Sequence, residues 1–414
     1  MLVGSEAALS GGAVSAVIDD GSSLWFNPAG LANVLRNQVD TSISATQLRL
    51  SQSPALLETS SGKQSDGSYQ ELAGIPTAVT GARPLSPGLV FGFGVFVPRH
   101  LAYTDRVRLE EKNDQDLFQL QLVQQANAQE YYAGVGMGLA LSPHLRVGLS
   151  LFGIYTQFSL VSQFFGGRFN DQDAAIAGFS SLSFFQSVGL ALGAGMQWNP
   201  NDEIGVGLSF RSPSLQVGVL RRLNTIEVGA RSSSSTIVFE PLDEYEVNSQ
   251  LAIIQPAHLR VGLSYRFPKG WISADASFTH PLSAPQLGIE RDWLWNLRIG
   301  GRYAIEPELA LGGGVFTDRS PLPAIRGYGE TRVDFVGASA GIEIRTFHRL
   351  AEGEPTKSLV FCQVLAVSYA IGLGKVGGLR ITNDLNHTEW EVYVREAPTR
   401  IHEFAFYTGS ALEF

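Results

Sequence analysis

Apolar residues recur at every second position through long stretches of this chain, and no other feature restricts its fold as much. In 145–158, Leu145, Val147, Leu149, Leu151 and Tyr155 share one face, while Arg146, Gly148, Ser150 and Thr156 share the other. In 184–198, Val188, Leu190, Leu192, Met196 and Trp198 oppose Ser187, Gly189, Gly193, Gly195 and Gln197. In 271–280, Ile272, Ala274, Ala276 and Phe278 oppose Ser273, Asp275, Ser277 and Thr279. This is the period of a strand with two unlike surroundings. A membrane-spanning helix needs about 20 consecutive apolar residues, and the longest uncharged apolar run, Gly88 to Val97, is about half that. A transmembrane β-barrel hides its apolar residues in alternation and so keeps its overall hydropathy low. Composition agrees: 45 of 414 residues are Gly, charged residues are 17%, and there is one Cys. A disulfide scaffold is excluded, and a net charge of -9 speaks against nucleic-acid binding.

Cutting the chain at Pro, Gly, Asn and Asp clusters predicts about fourteen strands. They are 39–50, 72–83, 88–98, 130–142, 145–158, 183–198, 203–219, 252–267, 271–281, 292–305, 308–318, 332–346, 358–372 and 400–414. Turns after the even strands are mostly tight: Pro84–Pro87, Ser142–His144, Asn199–Asp202, Pro268–Gly270 and Glu306-Pro307. Connections after the odd strands are mostly long, at 99–129, 159–182, 220–251 and 373–399. Short turns alternating with long loops on an even strand count is the pattern of an outer-membrane barrel. The start, Met1-Leu2-Val3-Gly4-Ser5-Glu6, has neither a basic stretch nor a long apolar one. It is read as a mature or truncated N-terminus. The C-terminal strand, ending in Phe414, looks like the recognition signal of barrel-assembly machinery.

The first 38 residues do not alternate. Gly11 to Ala16 are small, Asp19 and Asp20 form an acidic pair, and Trp25-Phe26-Asn27-Pro28-Ala29-Gly30-Leu31-Ala32 follows. This stretch resembles the N-terminal hatch of the long-chain fatty-acid transporter (FadL/TodX) family of outer-membrane proteins. The stretches 256–267, 295–303 and 317–323, the last reading Thr317-Asp318-Arg319-Ser320-Pro321-Leu322-Pro323, are similar to hairpins and a loop of that family. The middle segments 99–129 and 220–251 show no such likeness. The resemblance implies an all-β fold: a transmembrane antiparallel barrel, residues 39–414, with an N-terminal hatch or plug, residues 1–38, inside its lumen. It implies passive uptake of hydrophobic small molecules, long-chain fatty acids or aromatic hydrocarbons, across the bacterial outer membrane, with no cofactor. Outer-membrane lipid and lipopolysaccharide would be the surroundings. A barrel of similar build that anchors or shuttles surface proteins, with a protein partner, is the alternative.

Two groups of site residues follow. Asn27, Pro28 and Ala29, with Trp25 and Phe26, are expected to brace the hatch and gate the lumen; a plain structural turn explains Asn-Pro without any gating function. In the third strand, Val90, Gly92, Gly94 and Phe96 form a face without any polar residue beside an equally apolar second face. That face suits a plug or an apolar ligand, and its glycines permit a kink. By the resemblance, such a kink opens the wall sideways. Phe118, Leu120 and Leu122 alternate with glutamines in 99–129, read as a surface loop or an outer lip.

Enzyme chemistry has little support. The seven His stand apart, Gly372-Leu373-Gly374-Lys375-Val376-Gly377 lacks the strand–turn–helix setting of a nucleotide loop, and no Gly-x-Ser-x-Gly occurs.

Overall fold

The computed structural model describes residues 3–112, 116–170, 174–231, 236–249, 252–349, 358–382 and 391–414. The strands are β1 (Gln38–Thr59), β2 (Gln64–Ser86), β3 (Leu89–Lys112), β4 (Asp116–Ala140), β5 (Leu145–Asn170), β6 (Ala174–Trp198), β7 (Ile204–Arg211), β8 (Ser214–Arg231), β9 (Thr236–Ser249), β10 (Ala252–Gln255), β11 (His258–Phe267), β12 (Gly270–Thr279), β13 (Leu282–Ala284), β14 (Ile289–Arg291), β15 (Leu294–Glu306), β16 (Leu309–Asp318), β17 (Thr331–Arg349), β18 (Ser358–Thr382) and β19 (Glu391–Glu413). β13 and β14 form a separate small hairpin; the others make one sheet. It closes on itself, because β1 pairs antiparallel both with β2 and, from Gln38–Glu413 to Gln52–Arg400, with β19. Closure leaves no bare edge, which is how a sheet satisfies its backbone in lipid.

Among the described residues the sheet has seventeen strands, not about fourteen. Proline accounts for part of the difference, since it donates no hydrogen bond to a ladder. Pro213 separates β7 from β8 within the expected strand 203–219, and Pro256 separates β10 from β11 within 252–267. The third extra strand, β9, lies in the expected loop 220–251.

The long connections also need correcting. What the sequence suggests as loops at 99–129 and 159–182 are the outer halves of β3, β4, β5 and β6, paired residue by residue as far as Lys112–Leu117 and Phe169–Ala174. The segments 113–115, 171–173, 232–235, 350–357 and 383–390 lie outside the described residues. β3 runs 24 residues and β5 runs 26, where about 9–11 suffice to cross a bilayer, so both project well beyond it. Phe118, Leu120 and Leu122 form no outer lip. They are 3%, 2% and 1% exposed, on one face of β4, in an apolar cluster with Leu56, Val107, Leu109, Phe164, Leu379 and Ile381. Period two simply continues there.

The alternation sorts faces as expected. Leu149, Leu192, Leu263, Ile299, Val336 and Val367 point outward and are more than half exposed, a continuous apolar surface suited to lipid. The inward positions meet the N-terminal segment. It contains α1 (Ser5–Leu9), α2 (Ser23–Phe26) and a 3-10 helix (Pro28–Asn33). Gly11 and Gly12, at φ +65° and +82°, end α1 with turns that side chains rarely adopt. α1 packs on β16–β19 and the 3-10 helix on β3–β6, so the segment touches separated parts of the inner wall.

Candidate functional site

Asn27 anchors the N-terminal segment. It is fully buried, and its Oδ1 accepts from the Ala29 N–H at 3.2 Å, capping the 3-10 helix that Pro28 begins. Its Nδ2 donates to the Ser15 carbonyl at 2.8 Å and to the Met196 carbonyl of β6 at 3.0 Å. One amide therefore ties two turns of the segment to each other and to the wall. The wall is cut away to receive it: a Cβ at Gly148 would collide with the Pro28 backbone, and one at Gly195 with the Asn27 side chain. Ala29 is buried behind them.

Trp25 and Phe26 project from α2 into the wall. The Trp25 ring lies 5.4 Å from Phe96, 4.9 Å from Tyr132 and 6.1 Å from Phe152. The Arg211 guanidinium sits 3.8 Å from the Trp25 ring centre and donates to the Trp25 carbonyl at 2.7 Å. Phe26 is held by Ser209, whose hydroxyl donates to its carbonyl at 2.7 Å, and lies 4.8 Å from the Arg260 guanidinium. Asp275 Oδ2 accepts from the N–H groups of Val14 and Ser15 at 3.2 and 3.0 Å and from the Ser15 hydroxyl at 2.6 Å. Gln197 donates to the Ile18 carbonyl at 3.1 Å and accepts from Asn33 at 2.9 Å. Arg211, Ser209 and Arg260 escape sequence reasoning. Asp275 and Gln197 are visible in it as inward polar residues, of the kind that suits a wet lumen; here they meet polypeptide.

On β3, Val90 and Phe96 are 2% and 0% exposed, while Phe93 and Val95 on the other face are about half exposed. A Cβ at Gly92 would press on Leu31 of the N-terminal segment, and one at Gly94 on Thr80 of β2. Val90, Gly92, Gly94 and Phe96 thus pack against the segment and its surroundings. None of the four lines the large cavity beyond it. The irregularity in β3 also lies elsewhere than at its glycines. Its register with β4 shifts between Phe96 and Arg99, at Val97-Pro98, and its paired run with β2 ends at Ala78–Phe96. Past that point β3 stays on β4, and the Ala102 N–H is taken by the Glu71 carboxylate of β2 at 2.9 Å.

Beside this break lies a cavity of about 540 Å³. Pro98, His100 and Leu101 form one side; Phe158, Leu160, Phe316, Phe335 and Ile401 give it apolar wall. Arg49, Tyr69, Tyr103 and Glu403 give it a polar side, where Arg49 donates to Glu403 at 2.7 and 3.2 Å. The apolar cluster of Leu56, Leu120 and Leu122 lies toward the strand ends, past Tyr328. A cavity of mixed lining thus lies beside a discontinuity in the wall.

No protein-family model matches the chain, nor does any curated protein sequence. Solved structures do. A Pseudomonas aeruginosa FadL homologue matches at 12% identity with a TM-score of 0.64, over 100% of this chain and 98% of that one. The toluene transporter TodX of P. putida matches at 14% identity and a TM-score of 0.59, over 99% and 98%. The toluene transporter TbuX of Ralstonia pickettii matches at 12% identity and a TM-score of 0.59, again over 99% and 98%. End to end, the chain has the fold of the FadL and TodX barrels.

Proposed function

We propose that this protein is a passive outer-membrane conduit for hydrophobic compounds, with residues 1–38 as a hatch inside the barrel 39–414. The observation that carries this reading is the 540 Å³ cavity placed directly beside the Pro98 break in β3. A compound leaving it between β2 and β3 would enter lipid without crossing water. The drive is burial of hydrocarbon, about 0.8 kcal/mol per CH₂, and no cofactor takes part. The proteins of like fold are a FadL homologue and two toluene transporters, consistent with apolar cargo. The outward apolar surface fits outer-membrane lipid, and β19, which closes the ring one residue before Phe414, is the strand for assembly machinery to engage.

In this reading the hatch residues Trp25, Phe26, Asn27, Pro28 and Ala29 gate by holding the segment to the wall. Val90, Gly92, Gly94 and Phe96 form the seat under the path rather than its lining. The test is uptake of an alkylbenzene and of an alkylphenol, each measured separately, by Gram-negative cells that make the protein, against cells that do not. Uptake of either compound above the control supports the reading, and uptake of both equal to the control at equal surface expression rejects it.

A further inference from the structure

The cavity narrows at one end into a cleft of about 20 Å³, and the two share Tyr69, Tyr103, Gln124 and Tyr328. A void holds a water-sized group from roughly 10–15 Å³ upward, so the cleft has room for one such group. Its lining is unusually short of partners. Asp105, only 6% exposed, has its buried Oδ1 without a hydrogen bond, and the buried Tyr328 hydroxyl likewise has none. Buried polar atoms are nearly always paired, and here an unpaired acceptor and an unpaired donor line one cleft. The neighbours already bond one another. Gln124 is occupied at both ends, accepting from the Tyr103 hydroxyl at 3.0 Å and donating to the Tyr328 carbonyl at 3.3 Å. Tyr69 and Tyr103 are stacked, with ring centres 4.8 Å apart.

Resting on the transport reading above, we infer that the cargo is a compact apolar molecule bearing a neutral hydroxyl, an alkylphenol or alcohol, and not a bare hydrocarbon or a fatty acid. The hydroxyl enters the cleft, donates to Asp105 Oδ1 and accepts from Tyr328, while the body lies against Phe158, Leu160 and Phe316 in the cavity. A bare hydrocarbon leaves both atoms unpaired. A carboxylate brings a second negative charge beside Asp105 and has no hydrogen to donate to its Oδ1. An ammonium suits Asp105 but has no lone pair to accept from the Tyr328 hydroxyl.

The test measures binding of 4-propylphenol, propylbenzene, 4-propylbenzoate and 4-propylbenzylamine to the purified full-length barrel, corrected for partition into protein-free micelles. The phenol should bind about tenfold more tightly than each of the others, a difference of 1.4 kcal/mol. Asp105→Asn and Tyr328→Phe, each checked for heat-modifiable migration, should cut that preference to about threefold or less. Propylbenzene, benzoate or amine binding as tightly as the phenol overturns the inference and leaves the transport reading standing. So does a tenfold preference that survives in both variants. Failure of all four probes to bind the folded wild-type barrel overturns both.

Discussion

Arg211 covers Trp25 from 186 positions further along the chain, its guanidinium 3.8 Å from the indole centre and its Nη2 2.7 Å from the Trp25 carbonyl oxygen. The wall thus grips the N-terminal segment at the last residue of β7, two before Pro213. A cation over an indole contributes about 0.5–2 kcal/mol, and a hydrogen bond from a charged group about 1.5–3 kcal/mol. Arg211→Leu should therefore loosen the segment without opening the sheet. Faster hydrogen exchange at residues 22–33, with unchanged exchange in β4 and β5, is the expected outcome.

Asn27→Ala removes the cap on Ala29 and both donations, to Ser15 and to Met196. Each buried carbonyl left unpaired costs about 1–3 kcal/mol. The barrel should still migrate as a folded, heat-modifiable band, because the sheet carries its own backbone bonding. Protease should reach the N-terminal segment faster than in wild type, and uptake of a hydrophobic compound should change with it.

The two faces of β3 should respond oppositely. Gly92→Leu drives a side chain into Leu31 and overpacks the seat by about 1–3 kcal/mol. Phe93→Leu, on the half-exposed outer face, should leave segment exchange and uptake at wild-type level. A larger effect from Phe93→Leu would mean that the faces are reversed.

The sheet was legible because alternation is local: Leu145 to Tyr155 or Ile272 to Phe278 declare their faces without reference to distant residues. The outer strand halves were not, because cutting at polar positions discards segments such as 117–124. There Gln119 and Gln121 are simply the outward partners of buried Leu120 and Leu122. The strand count erred where Pro213 and Pro256 interrupt hydrogen bonding inside runs that still alternate. The Asn27 turn announced itself through Asn-Pro chemistry, but its partners did not. Met196, Arg211 and Asp275 reach it only once the ring is closed, and nothing in the sequence pairs positions so far apart. The cavity was invisible for the same reason, since Tyr69, Tyr103 and Tyr328 come from three separated segments.

Leu56 is held inward by an irregular stretch of β1. Its register with β2 shifts between Ser53 and Leu57, and Ala55 sits at φ +52°, in the left-handed region. Leu56 is 2% exposed and borders the cleft at the outer apolar cluster. Leu56→Ala should cost about 2–5 kcal/mol of local packing and thin the cover over the cavity. Single-channel recording in planar bilayers should then show more frequent openings than in wild type.

The most direct measurement is the initial rate of uptake of a radiolabelled alkylphenol by Gram-negative cells producing either the wild-type protein or cavity-filled variants. Ala126 and Ala370 are 7% and 5% exposed and line the cavity from β4 and β18. Ala126→Trp and Ala370→Trp should each bring uptake down to that of cells lacking the protein, with equal surface expression and heat-modifiable migration. Wild-type uptake no faster than in cells lacking the protein, or filled variants that transport as fast as wild type, would contradict passage through this cavity.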